Sequence, residues 1–179
     1  MQNYFQKALW LLLATLLLSA GAPAAFAQTA ESGKVTLVAG LVEYRVPGAS
    51  FVTAKRGDIL PVGTEVHTSA GARAVIVAGP GAAIRVGPDS TVVLSKLALD
   101  TAIAGASSAN DMLIDVREGT VSALIDRAKQ PDANFQVRTP QGVAAARGTF
   151  YAVTVRGNRS YSKVVHGVVR ITNYAASGG

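Results

Sequence analysis

The sequence predicts an all-β protein: many short strands forming one solenoid-like or sandwich-like domain, preceded by a helical signal peptide. Three observations carry this. Valine is abundant and glycine recurs, whereas Leu-Glu-Lys-rich stretches with a period of about 3.6 residues are missing. Apolar and polar residues alternate with the period of two that assigns neighbours to opposite faces of a strand. Dipeptides able to turn the chain recur between these runs.

Residues 1–27 read as the signal peptide. Met1 to Lys7 is polar and ends on a positive charge, Ala8 to Ala20 is apolar, and Ala25-Phe26-Ala27 offers small residues where signal peptidase reads. Cleavage is expected after Ala27, giving a periplasmic or secreted protein with no integral membrane segment in the mature chain. The apolar run falls short of the ~20 residues that span a bilayer, and Gly21 and Pro23 break it. Cysteine is absent, so disulfides, thiolate metal sites and a lipoprotein anchor are excluded.

Residues 28–174 are long enough for a single core held by packing alone. Val42-Glu43-Tyr44-Arg45-Val46 alternates, as does Ile84-Arg85-Val86. Met112, Ile114 and Val116 share one face, and Val121, Ala123 and Ile125 continue the pattern after a break at Gly119. Phe135, Val137 and Thr139 oppose Gln136 and Arg138. A Gly-x-Val step recurs at Gly33, Gly40, Gly119 and Gly167, each glycine marking an expected corner. Asp100 to Asp111 reads as a surface loop, and residues 175–179 as a flexible tail.

The punctuation has a definite order: Gly40-Leu41-Val42, Gly57-Asp58, Gly63-Thr64-Glu65-Val66-His67-Thr68 and Ile84 to Ser90 come first. Glu118-Gly119-Thr120-Val121, Thr139-Pro140-Gln141-Gly142, Arg147-Gly148-Thr149-Phe150 and His166-Gly167-Val168-Val169 follow. In this order and spacing the mature chain resembles the FecR-type periplasmic domain over about its whole length. The resemblance implies an all-β fold and a protein-binding or envelope-binding role. Where that family often has an Asp-Gly hairpin, this chain has Gly79-Pro80-Gly81. The iron-siderophore regulators of the family also carry a cytosolic part and a membrane span. Here a cleavable leader is expected in their place, so sigma-factor control is not carried over.

The motif residues Gly57, Asp58, Gly119, Thr139, Pro140, Gly142, Arg147, Gly148, Thr149, Phe150 and Gly167 are read as structural. Thr139-Pro140-x-Gly142 fits a type II turn, with the glycine one place later than the simplest register. Gly148 is expected to allow a bulge, and Arg147 to tie the turn to a carbonyl. An anion site formed by Arg147 and Thr149 is the alternative.

Enzyme chemistry finds little footing. His67 and His166 lie far apart, and only Glu65 stands near His67 at a spacing that would share a strand face. No nucleophile elbow, phosphate loop or carboxylate pair occurs. No enzyme activity, cofactor or metal is expected. The net charge is +6, and no Asp or Glu follows Ala133, although Arg138, Arg147, Arg156, Arg159, Lys163 and Arg170 do. Arg156, Arg159 and Lys163 about the Gly157-Asn158 hairpin are the candidate binding residues, for an envelope protein or an anionic surface polymer. Solubility and protection of a strand edge explain the same cations. Nucleic acid is excluded as a partner because export removes the protein from it.

Overall fold

Alternation in the sequence becomes burial position by position. Met112, Ile114 and Val116 are buried, as are Val121, Ala123 and Ile125, Phe135 and Val137, and Tyr151, Val153 and Val155. A computed structural model describes residues 32–79, 81–98, 111–126, 128–129, 133–147 and 150–174. The expected signal peptide at 1–27, the tail at 175–179, most of the 100–111 loop, Pro80, Gly148 and Thr149 lie outside the described residues.

Fourteen strands follow one another, with no helix among the described residues. They are β1 Ser32–Ala39, β2 Val42–Arg45, β3 Val52–Thr53, β4 Ile59–Pro61, β5 Glu65–Thr68, β6 Arg73–Gly79 and β7 Ala82–Val86. Then come β8 Ser90–Ala98, β9 Asp111–Ile125, β10 Asn134–Thr139, β11 Gly142–Ala146, β12 Phe150–Arg156, β13 Arg159–His166 and β14 Val169–Asn173.

Together they make one curled sheet whose two halves enclose a single core. One half runs β4, β1, β6, β7, the second part of β9, β12 and β13. The other runs β3, β2, β5, β8, the first part of β9, β10, β11 and β14. Every pairing is antiparallel except β9 with β10. A parallel β-solenoid would show the reverse, so the arrangement is sandwich-like.

β9 is the hinge of the design. Gly119 does not end a strand, as its place in the punctuation suggests; a 15-residue strand runs through it and belongs to both halves. The buried set slips phase there, from Met112, Ile114 and Val116 to Val121, Ala123 and Ile125. A register shift beside Thr91 accommodates the extra residue as a bulge. Gly119 has φ +84°, and a Cβ there would sit 2.1 Å from Ser90 Oγ and 2.5 Å from the Asp89 carbonyl. Only glycine fits such a corner.

Hydrogen bonds tie the neighbouring corners together. The Thr68 hydroxyl donates to the Gly87 carbonyl at 2.6 Å and accepts from the Ser90 amide at 3.0 Å. The Ser90 hydroxyl accepts from the Thr120 amide at 2.9 Å, and the Gly87 amide donates to the Thr120 carbonyl at 2.8 Å. Thr68 and Ser90 are buried polar residues whose hydroxyls are satisfied within this knot. Across the core, the Tyr151 hydroxyl on β12 donates to the Phe135 carbonyl on β10 at 3.2 Å, and the two rings meet edge to face at 6.1 Å. Burial pushes the Tyr151 hydroxyl pKa well above its ordinary value.

Candidate functional site

The hairpin nominated from sequence forms between β12 and β13, and Arg156 faces Arg159 across the Gly157-Asn158 turn. Lys163 stands farther along β13, opposite Ala152. The tip therefore groups two cations rather than three. Arg159, Tyr161 and Lys163 share the outward face of β13, because alternation puts Ser160, Ser162 and Val164 opposite buried Val155, Val153 and Tyr151.

Five cations elsewhere are compensated, Lys129 by Asp126 among them. Arg45 and Arg117 both reach Glu65, at 2.7 and 3.0 Å; Lys96 reaches Asp111 at 3.1 Å, and Arg138 binds Asp115. Glu65 is thereby committed to two arginines, and His67 Nδ1 lies 3.2 Å from the Thr91 hydroxyl. Among the described residues, Arg156, Arg159, Lys163 and Arg170 form no ion pair. Lys34, Lys55, Arg56, Arg73 and Arg85 form none either, so the late cations differ in having no acidic residue anywhere after Ala133.

The two best-placed carboxyls titrate low. For Asp115, burial favours the neutral form, but hydrogen bonds from Arg138 and Ser95 and the charges of Arg138 and Arg117 outweigh it. For Asp111, the hydrogen bond from Lys96 leads, opposed by burial and assisted by Asn134 and by the charges of Lys96 and Arg147.

The described motif residues stand as follows. Gly57 has φ +101°, and the Lys55 amide donates to Asp58 Oδ2 at 2.8 Å. That turn is sealed onto β1 by the Val35 amide, which donates to the Asp58 carbonyl at 2.9 Å. The Thr139–Gly142 turn is not type II: no described residue in it has a positive φ, which type II demands at its third position. Instead the Thr139 hydroxyl accepts from the Gln141 and Gly142 amides, both at 3.2 Å. Gly142 is needed for space, since a Cβ would lie 2.4 Å from the Thr172 carbonyl on β14. Pro140 fills the first loop position of this hairpin. Gly33 is likewise no corner; it lies inside β1, where a Cβ would meet Ile76 Cγ2 at 2.5 Å. Gly40 and Gly167 do turn with positive φ, between β1 and β2 and between β13 and β14. Arg147 is exposed at the end of β11 and near enough to Asp111 to stabilise its charge. Phe150 opens β12 partly exposed.

Sequence reasoning missed how open this end of the sandwich is. Among the described residues β13 pairs with β12 alone and β14 with β11 alone, so that two strand edges there carry no further strand. Val164 and Ile171 face inward yet are 42% and 58% exposed, and Val165 and Val168 are exposed as well. Ser160, Ser162, Ile171 and Asn173 line a cleft of about 70 Å³ between the two strands. The signal was present in β13, whose inward positions near the hairpin carry Ser160 and Ser162 opposite Val155 and Val153 of β12. Among the described residues no cluster of three His, Cys, Asp or Glu side chains could hold a metal.

Searches of curated proteins and of solved structures return no match to the chain. The family model described as FecR protein matches residues 64–170, from the corner before β5 into β14. Gly40, Gly57 and Asp58 precede the matched stretch, while Gly119, the Thr139 turn, Phe150 and Gly167 fall within it. With more than half its length so matched, and with the matched stretch folding as an antiparallel β sandwich about β9, the chain belongs to the FecR protein family.

Proposed function

We propose that this chain is a non-catalytic binding module for envelope signalling, and that it takes an acidic segment of a partner protein on the free edge of β13. The observation that carries the reading is the coincidence at β13 of an unpaired edge with uncompensated cations on its outer face. FecR proteins are non-enzymatic signalling regulators, and their FecR domains are typically periplasmic or envelope-associated. Export by residues 1–27, with cleavage after Ala27, would deliver this surface to the envelope.

An extended segment adding to β13 gains main-chain hydrogen bonds along the edge. Arg159 and Lys163, which alternate with the inward-facing residues, favour acidic side chains on the incoming strand and speed its approach. Tyr161 supplies apolar area between them, about half of it exposed.

Photo-crosslinkers at Tyr161 and Val165 of the full chain, used in intact cells, test this. The expected result is capture of one protein through an acidic extended segment, lost in Arg159→Glu/Lys163→Glu. Capture undiminished by the charge reversal, or crosslinks only to glycan or to a second copy of this chain, would defeat the proposal.

A further inference from the structure

A trough lies on the outer face of the other half of the sandwich. β11 reads Gly-Val-Ala-Ala-Ala, so it is small on both faces: Ala144 and Ala146 are buried inward, and Val143 and Ala145 look outward. Its neighbours carry longer side chains at the same register. Gln136 on β10 and Arg170 on β14 flank Ala145, while Arg138 and Thr172 flank Val143. A strand of small residues between two strands of long ones makes a trough. Its hollow is about 810 Å³, with Asn134 and Arg147 at one end and Val168 beside them. Walls two strand spacings apart stand roughly 10 Å from each other, the width of one polymer chain.

The lining selects the occupant. β11 is hydrogen-bonded on both sides, to β10 and to β14, so no main-chain edge is left for a peptide. Recognition falls to side chains: the Gln136 amide, the amide oxygen of Asn134, whose Nδ2 donates to Asp111 at 3.2 Å, the Thr172 hydroxyl, and guanidinium groups over a methyl floor. Amides pair with hydroxyls in either direction, methyl groups accept the C–H face of a sugar ring, and a planar guanidinium matches a planar carboxylate. Among the described residues no carboxylate and no aromatic ring lines the trough, so a neutral sugar has neither charge nor stacking to hold it there. Arg138 is already bound to Asp115, and Arg147 already acts on Asp111, whereas Arg170 forms no ion pair among the described residues.

We propose that this trough binds a uronate-bearing glycan strand, with Arg170 holding the carboxylate and Gln136 and Asn134 the hydroxyls. The site is separate from the β13 edge and stands or falls independently of it. The test is calorimetric titration of the full chain with oligogalacturonate, a neutral galactan oligosaccharide and poly(glycerol phosphate), with amide chemical shifts followed by NMR. Oligogalacturonate should bind and shift Gln136, Ala145 and Arg170. Arg170→Gln should weaken it about tenfold, as loss of one charge-assisted hydrogen bond does, and Ala145→Leu should block it with the thermal midpoint unchanged. Arg156→Gln/Arg159→Gln should alter affinity by less than about twofold, because the tip lies on the other half. Absence of binding, equal affinity for the neutral oligosaccharide, preference for the phosphate polymer, or equal weakening by the Arg170 and tip variants would each overturn the assignment.

Discussion

At the scale of single residues, charge is distributed by sequence position rather than spread evenly. Every carboxylate lies before Ala133; Arg45 on β2, Lys96 on β8, Arg117 on β9 and Arg138 on β10 find partners, and among the described residues the cations of β13 and β14 do not. Asp115 shows what a partner does: its carboxyl is held below the ordinary carboxylate range despite partial burial, chiefly by Arg138 and Ser95. A depressed folded-state pKa contributes stability above the unfolded value of about 3.9, and that stability is lost as pH falls through the folded value. Asp115→Asn should therefore lower stability at neutral pH by no more than about 1 kcal/mol, as for a half-exposed ion pair. The difference from the parent should shrink to nothing in acid, and urea unfolding across pH measures it. A difference independent of pH would mean that the carboxylate charge contributes nothing. The compensation of Glu65 by two arginines was not legible in the sequence, because Arg45 and Arg117 lie on strands far from it along the chain. The uncompensated tip was legible, because a hairpin brings neighbours in sequence together.

Among the elements, β9 decides most. Its two apolar runs were readable as strand, but the sequence presents Gly119 as punctuation and the structure makes it a bend within one continuous ladder. Local pattern cannot distinguish a strand that ends from one that changes layers, since both require glycine and a phase slip. The Thr139 turn shows the same limit: its residues signal a reversal, yet Gly142 is required by the approach of β14, an element far later in the chain. Gly119→Ala should cost roughly 3–4 kcal/mol, near the upper end for single substitutions, because it forces both a clash and a left-handed backbone. Urea denaturation gives the value, and a loss under about 1 kcal/mol would show that the corner relaxes easily. β13 and β14 contrast with β9: each has one partner only, and their exposed apolar residues are what a docking edge requires and what a closed sandwich would bury.

For the whole molecule, the sharing of β9 between the halves joins their stabilities. Tyr151 bridges the halves by ring contact and hydrogen bond, and one contiguous set of buried residues fills the space between. Far-UV circular dichroism and tyrosine near-UV signals should therefore report one coincident unfolding transition, and two separated midpoints would show that the halves unfold independently. Pairings such as β1 with β6, β7 with β9, β9 with β12 and β11 with β14 join strands that are not consecutive, so folding is expected in the millisecond-to-second range of β sandwiches. The sequence by itself determined that the chain is β, which faces of its strands are apolar, that it turns at Gly40, Gly57 and Gly167, and that its last strands carry positive charge without acids. These properties follow from side-chain period and backbone freedom, which act over a few residues. Only the tertiary structure decided that β9 serves both layers, that β13 and β14 are left as adjacent free edges, and that small residues of β11 lie between long ones of β10 and β14. Each of these is a matter of which distant strands become neighbours, and that is settled by burial of one shared core rather than by any local pattern.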